Sequence, residues 1–225
     1  MKKIVVLLIF LSAFSCSKSI SQISSIKSLD ESPQLNLPYG DRDLFHEFPA
    51  DWDYSRWNHS KENLVQDSLL NKLDFFLFED IANPIRKTFT ADYIKVKPLL
   101  AKEFAPSKAI KSNKEKMEIK GAKVFSSKDF AVFSIAYKGK IDCKTCEYPE
   151  NQTHNVLISI KDGKVIDKLL ISYFNGSDLS QSTRYFYIDQ HLIIHLKDFV
   201  SDEIGVAFLQ YLKYKINSEG KFIKQ

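Results

Sequence analysis

The chain has 225 residues and a formal net charge of +4, which comes from 32 basic and 28 acidic side chains. This nearly even balance of charges excludes the strongly basic surface that nucleic-acid binding requires. We therefore expect no nucleic-acid partner. A hydrophobic content of 44% and an aromatic content of 13% exclude a disordered chain and are sufficient for one well-packed core.

The N-terminus has the three parts of a secretory leader. Lys2 and Lys3 are the positive region, residues 4–11 form the apolar region, and small residues follow up to Cys16. About eight apolar residues are too few to cross a bilayer, which needs roughly 20. The pattern predicts a signal peptide over 1–15. An ordinary cleaved signal with an incidental cysteine and an uncleaved anchor are the alternatives.

A cysteine directly after the cleavage zone resembles the lipobox of bacterial lipoproteins. Ala13 stands where the common motif has Leu, a looseness that resembles Bacteroidota lipoproteins of unknown function. The resemblance implies that Cys16 is diacylated and becomes the new N-terminus, so the lipid makes the membrane a partner. Loss of Lys2 and Lys3 then leaves 30 basic and 28 acidic residues. An acidic run after this cysteine would resemble the surface-export signal of some Bacteroidota lipoproteins. No such run follows Cys16, which favours an outer-membrane lipoprotein that faces the periplasm over a surface-exposed one.

Two segments follow this leader. Residues 16–38 are rich in serine and lack a sustained apolar period, which predicts a lipidated tether. The remainder, 39–225, is predicted to be a single globular β-rich domain.

The segment 41–59 concentrates aromatic and acidic side chains. Ring faces stack on sugars while carboxylates bind hydroxyl groups, so this mixture is typical of glycan sites. The alternative is that the rings pack at the edge of the core while the acids face water. An EF-hand spacing is also present, but Arg56 stands where that loop needs glycine, so we expect no metal site. The candidate ligand-binding residues are Asp51, Trp52, Asp53, Tyr54 and Trp57.

After this segment, apolar residues recur every three or four positions, and Ser60 is suited to begin a helix. The pattern predicts the main helix over about 61–80.

The stretch 155–174 is two apolar, β-rich runs that flank Asp162 and Gly163. Asp-Gly is typical of tight hairpin turns, so we predict a hairpin here. Its first strand should place Val156 and Ile158 on one face and Leu157 on the other.

Short strands separated by turn residues continue from Met117 to the C-terminus. Connections this short cannot hold crossover helices, so the strands are predicted to pair as an antiparallel meander. The fold class is mostly β, at the margin of α+β. We expect one sheet or roll of about seven or eight strands with the single N-terminal helix.

Cys143 and Cys146 form a CxxC pair in a predicted loop. Secretion favours a structural disulfide. Unpaired thiols, a metal site and thiol–disulfide exchange are the alternatives, and Pro149 argues against the helix N-terminus that a redox CxxC uses.

Catalytic signatures are missing from the sequence: no GxSxG elbow, P-loop, dinucleotide fingerprint or HExxH is found. His191, His195 and Lys197 are predicted to lie on the outward face of one strand, with the two histidines too far apart to share a metal. We assign no catalytic residue and expect no cofactor.

The sequence favours a non-catalytic, lipid-anchored envelope module that binds an envelope protein or a glycan. A carbohydrate-binding or glycoside-hydrolysing protein that uses 41–59 is the first alternative. A thiol–disulfide protein that uses Cys143 and Cys146 is the second.

Overall fold

The computed structural model describes residues 29–47, 94–95, 118–141, 150–176, 180–202 and 206–225. The predicted leader, most of the tether and the predicted helix over 61–80 lie outside these residues. So do Cys16, the pair Cys143 and Cys146, and the five candidate ligand-binding residues between 51 and 57. Within the described part, no helix has the length and apolar character to cross a membrane.

The described residues form a ten-stranded sheet with one short helix. In chain order the elements are β1 (Tyr39–Gly40), α1 (Arg42–Glu47), β2 (Ile94–Lys95), β3 (Glu118–Ser126), β4 (Ala131–Ile141), β5 (Glu150–Lys161), β6 (Lys164–Gly176), β7 (Ser180–Ile188), β8 (Ile193–Asp202), β9 (Val206–Ile216) and β10 (Phe222–Lys224). Strands β2 to β10 are neighbours in sequence order, and each adjacent pair is antiparallel. The mostly β class and the antiparallel meander are therefore confirmed.

The predicted hairpin is the β5–β6 pair, whose strands have 12 and 13 residues. At its turn, Asp162 has φ 50° and Gly163 has φ 71°. Positive φ at both central positions is the geometry of a type I′ turn, whose twist matches that of the flanking strands. The Asp-Gly signal therefore set this turn.

Alternate residues of β4 and β5 belong to two different cores. Val132 and Leu157 are in the larger core, which also contains apolar residues of β7, β8 and β10. Phe133 and Ile158 are in a smaller core on the other side. All four side chains are fully buried. The period of two in the sequence thus places apolar groups on both faces of this part of the sheet, as predicted for Leu157 and its neighbours.

Strands β6 and β7 pair over a short length, from Tyr173 opposite Arg184 to Gly176 opposite Gln181. At the other end of β7, strand β1 is the partner, with Tyr39 opposite Ile188 and Gly40 opposite Tyr187. The segment before α1 is therefore attached to β7 by strand pairing. This attachment decides where α1 lies.

Candidate ligand-binding site

A cleft of about 300 Å³ opens beside α1, over strands β7, β8 and β9. Its walls combine four kinds of side chain: aromatic rings, imidazoles, one carboxylate and one lysine. The lining residues are Phe45, His46, Tyr187, Asp189, His195, Lys197 and Tyr211.

The pairing of β1 with β7 brings α1 to this place. Gly40 has φ 112°, and a Cβ there would collide with the carbonyl oxygen of Phe186, so the close approach of the two backbones requires glycine. The amide of Asp41 then donates to the Phe186 carbonyl oxygen at 2.8 Å. These contacts fix the start of α1 over the sheet.

Phe45 of α1 lies over the aromatic floor of the cleft. Its ring centroid is 6.0 Å from that of Tyr187, with 26° between the planes, 6.1 Å from the His195 ring and 6.5 Å from the Tyr211 ring. Rings at these separations attract one another beyond the gain from their burial. One side chain of the helix thus contacts three residues that belong to three different strands.

Lys197 of β8 is buried in this environment, with a relative exposure of 2%. Its Nζ atom is 5.3 Å from the centroid of the Phe45 ring, within the range of a cation–π interaction. Burial lowers the pKa of Lys197 to about 8, because removing water disfavours the charged amine. At neutral pH the side chain is still mostly an ammonium group.

Asp189, His195 and Tyr211 form a chain of polar contacts. The hydroxyl of Tyr211 is 2.6 Å from Nδ1 of His195, and Nε2 of His195 is 3.5 Å from Oδ2 of Asp189. A carboxylate only accepts, so a neutral His195 would carry its proton on Nε2 and accept the tyrosine proton at Nδ1. The tyrosine oxygen then keeps its lone pairs for a further donor.

A turn fixes the carboxylate of Asp189. Its Oδ1 atom accepts the backbone N–H groups of His191 at 2.8 Å and of Ile193 at 2.9 Å. The same turn holds Leu192 at φ 61°, a conformation that residues other than glycine rarely adopt. Both carboxylate oxygens therefore have partners within the protein.

The environment moves the pKa of each member of this chain. Burial lowers the pKa of His195, and the charges of Lys213 and His46 act in the same direction, while Asp189 partly opposes them. For Asp189, burial raises the pKa, but the two backbone N–H groups and His195 outweigh it and the net pKa is lowered. Burial and the charge of Asp189 raise the pKa of Tyr211. Near neutral pH the chain is a carboxylate, a neutral imidazole and a phenol.

The predicted outward position of His195 and Lys197 is wrong. His195 is half-buried and Lys197 is buried, because α1 covers this side of β8. His191 is also not in the strand, since β8 begins at Ile193 and His191 lies in the turn before it. No group of three or more potential metal ligands is found in the described part of the chain.

The cluster predicted over 41–59 contributes to the cleft through its first residues. Phe45 and His46 line it. Asp51, Trp52, Asp53, Tyr54 and Trp57 lie outside the described residues, so their part in a site stays a prediction. The sequence nevertheless contained an indication that the face of His195 and Lys197 is covered. Tyr185 and Tyr187 alternate with the apolar residues of β7, and rings at every second position are unusual for a solvated face.

A second polar cluster crosses the sheet away from the cleft. Its members are directly opposite one another on six successive strands, in the order Tyr137, His154, Tyr173, Arg184, Asp198 and Gln210. Arg184 donates to both oxygens of Asp198 at 2.6 and 2.7 Å, and Gln210 donates to the same carboxylate at 2.6 Å. Tyr137 and His154 are hydrogen-bonded to each other. Because Tyr137, His154 and Asp198 are buried and each has a partner within the row, we assign the row a structural role.

Comparison of the chain with protein-family models, with curated proteins and with solved structures finds no match. The function is therefore argued from the cleft and from the sequence.

The link between Asp189 and His195 is testable by titration. Because the Asp189 carboxylate raises the pKa of His195, the Asp189→Asn variant should lower that pKa further. The amide oxygen of the variant can still accept the two backbone N–H groups, so the turn should persist. NMR titration of the histidine ring protons measures the shift.

The matched control is Glu219→Gln, which removes a carboxylate paired with Lys221 at an exposed turn. It should leave the pKa of His195 unchanged. An unchanged or raised His195 pKa in Asp189→Asn would show that the two groups are not in contact.

Proposed function

We propose that the protein is a lipid-anchored, non-catalytic binding module of the cell envelope and that the cleft beside α1 is its ligand site. The observation that carries this proposal is the composition of the cleft. The rings of Phe45, Tyr187 and Tyr211 line it together with one buried lysine, Lys197. Concave sites with mostly apolar walls and a few placed polar groups are typical of small-molecule binding.

The contacts of the ionisable groups fix the arrangement of the side chains in the cleft. Both oxygens of Asp189 accept from groups of the protein, and both ring nitrogens of His195 have protein partners. Here the carboxylate and the imidazole orient each other and Tyr211, which supports a rigid recognition surface.

The second candidate is carbohydrate binding or hydrolysis by the 41–59 segment. It is favoured by the position of Phe45 and His46, which belong to that segment and line the cleft. Aromatic faces stack on the C–H surfaces of sugars. The thiol–disulfide alternative depends on Cys143 and Cys146 alone and stays a prediction from the sequence.

We propose attachment to the outer membrane through a lipid on Cys16, with the domain facing the periplasm. The support is the leader, since no apolar run after residue 16 is long enough to span a bilayer. The Cys16→Ala variant should lose incorporation of labelled fatty acid and leave the membrane fraction. Ser17→Ala is the control and should keep both. If Cys16→Ala still sediments with membranes in high salt, protein contacts provide the attachment and the lipid proposal fails.

The cleft is tested by saturation-transfer NMR with a mixed set of neutral, anionic and cationic fragments. The sample is the purified full-length protein in detergent micelles. Phe45→Ala removes the ring that contacts three lining residues and should weaken binding of the fragment hits by about tenfold or more. Melting temperatures check that the variants are folded.

Leu209→Ala is the matched control, because Leu209 is an exposed residue of β9. It should bind the same fragments with unchanged affinity. Fragment binding that is insensitive to Phe45→Ala would place the ligand site elsewhere and overturn the proposal.

A further inference from the structure

We infer that the cleft binds one neutral sugar ring, whose hydroxyl groups donate to Asp189 and Tyr211 while its C–H face packs on the aromatic walls. The inference rests on the proposed function and adds the chemical class of the ligand. It differs from the carbohydrate candidate above because both acceptors lie outside the 41–59 segment.

Asp189 is the charged group of the cleft that a ligand can reach more readily than Lys197. The Asp189 side chain has a relative exposure of 24%, whereas Lys197 has 2%. A carboxylate offers about four acceptor positions on its two oxygens. The backbone N–H groups of the turn are directed at Oδ1, and Oδ2 has the single contact with His195 at 3.5 Å. Oδ2 therefore keeps an acceptor position for a donor of the ligand.

Tyr211 supplies a second acceptor. Its hydroxyl is 2.6 Å from Nδ1 of His195. Because Asp189 favours the imidazole proton on Nε2, Nδ1 accepts the tyrosine proton, and the tyrosine oxygen keeps its lone pairs. The two nitrogens lie at different edges of the imidazole, so one ring holds the two acceptors at separate places in the cleft. This arrangement suits a ligand that carries hydroxyl groups at more than one position.

The charges around these acceptors favour a neutral ligand. The exposed carboxylate of Asp189 repels a ligand carboxylate. A ligand ammonium is opposed by Lys197 in the lining. Lys213 and protonated His46, whose charges act on His195, oppose it as well. A hydroxyl group donates to the same acceptors without bringing a charge into the cleft.

The walls favour a ring as the body of the ligand. Phe45 and Tyr187 have 26° between their planes, and His195 and Tyr211 have 18°. Aromatic faces of this kind stack on the C–H surface of a sugar. A flat apolar face and hydroxyl donors at the edge of the same ring are the two properties that a sugar ring combines.

The size of the cleft limits the ligand to one ring. A volume of about 300 Å³ is at the lower end of the range for small-molecule sites. At roughly 30 Å³ per water in the liquid, it corresponds to about ten waters. A monosaccharide, or one residue of a longer glycan, fits within this space.

The experiment titrates monosaccharides into the full-length protein in micelles and follows binding by saturation-transfer NMR. The probes are glucose, galactose and mannose, each with its amino sugar and its uronic acid, so that charge changes while the ring is kept. We expect at least one neutral sugar to bind, and to bind more tightly than both of its charged counterparts.

Two variants test the acceptors. Asp189→Asn keeps the oxygen that accepts from the turn but places an N–H₂ donor at the position of Oδ2, and Tyr211→Phe keeps the ring and removes the oxygen. Each should weaken binding of the neutral sugar by about tenfold, because a ligand hydroxyl loses its acceptor. Melting temperatures check that the variants are folded.

The matched controls are Glu219→Gln at an exposed turn and Tyr214→Phe, which changes a tyrosine of β9 that packs against the larger core. Both should bind the sugar with unchanged affinity.

The inference is overturned if none of the neutral sugars binds or if a charged counterpart binds more tightly. Unchanged affinity in Asp189→Asn or Tyr211→Phe, or an equal loss in either control, would also overturn it. If fragments of another class still depend on Phe45, the proposed function stands without this inference. If none do, both fail.

Discussion

Burial of both faces of β8 is the constraint on which the site depends. On one face Ile194 and Leu196 are fully buried in the larger core, and on the other Lys197 and Phe199 are almost as deeply buried. Apolar burial stabilises by about 25 cal/mol per Å², so covering the apolar residues is favourable. The same cover removes water from a lysine, which costs free energy unless other groups compensate. The cleft lies on the face of β8 where the favourable burial of apolar groups is accompanied by the unfavourable burial of Lys197.

On the second face of β8, α1 provides the cover, and its position depends on how β7 pairs with its neighbouring strands. Because β6 and β7 pair over only four residue pairs, the far end of β7 is available to β1. Gly40 permits the close approach, and α1 follows within two residues. A short strand pairing thus converts one face of β7, β8 and β9 from a solvated surface into the floor of a site. The site is assembled from chain segments about 140 residues apart.

Much of the sheet could be predicted from the sequence because its signals are local. Asp162 and Gly163 specify their turn through backbone conformation alone, and the period of two in β5 separates Leu157 from Ile158. The cover on β8 depends on a pairing between residues 39–40 and 187–188, which no local pattern contains. The local pattern of β8 therefore predicts an outward face for His195 and Lys197, whereas the alternating rings of β7 indicate that this face is covered.

The polar row shows a second limit of sequence reasoning. Its six members meet because of the register of five strand pairs, and two of those pairs contain irregularities, beside Asn155 and beside Asp198. One extra residue in a strand moves every following side chain to the other face. Bulges of this kind carry weak sequence signals. Arg184 and Asp198 thus gave no sign in the sequence that they are partners.

The central claim is that Lys197 is buried in a cleft built by α1 and three strands. NMR titration of the protein with ¹³C-labelled lysine side chains tests it most directly, with Lys197→Met used to assign the signal. The account predicts that the Lys197 resonance titrates near pH 8 and that Phe45→Ala moves its midpoint upward by admitting water. A Lys197 resonance that titrates near the ordinary value of 10.5 would contradict the account, because the amine would then be in water.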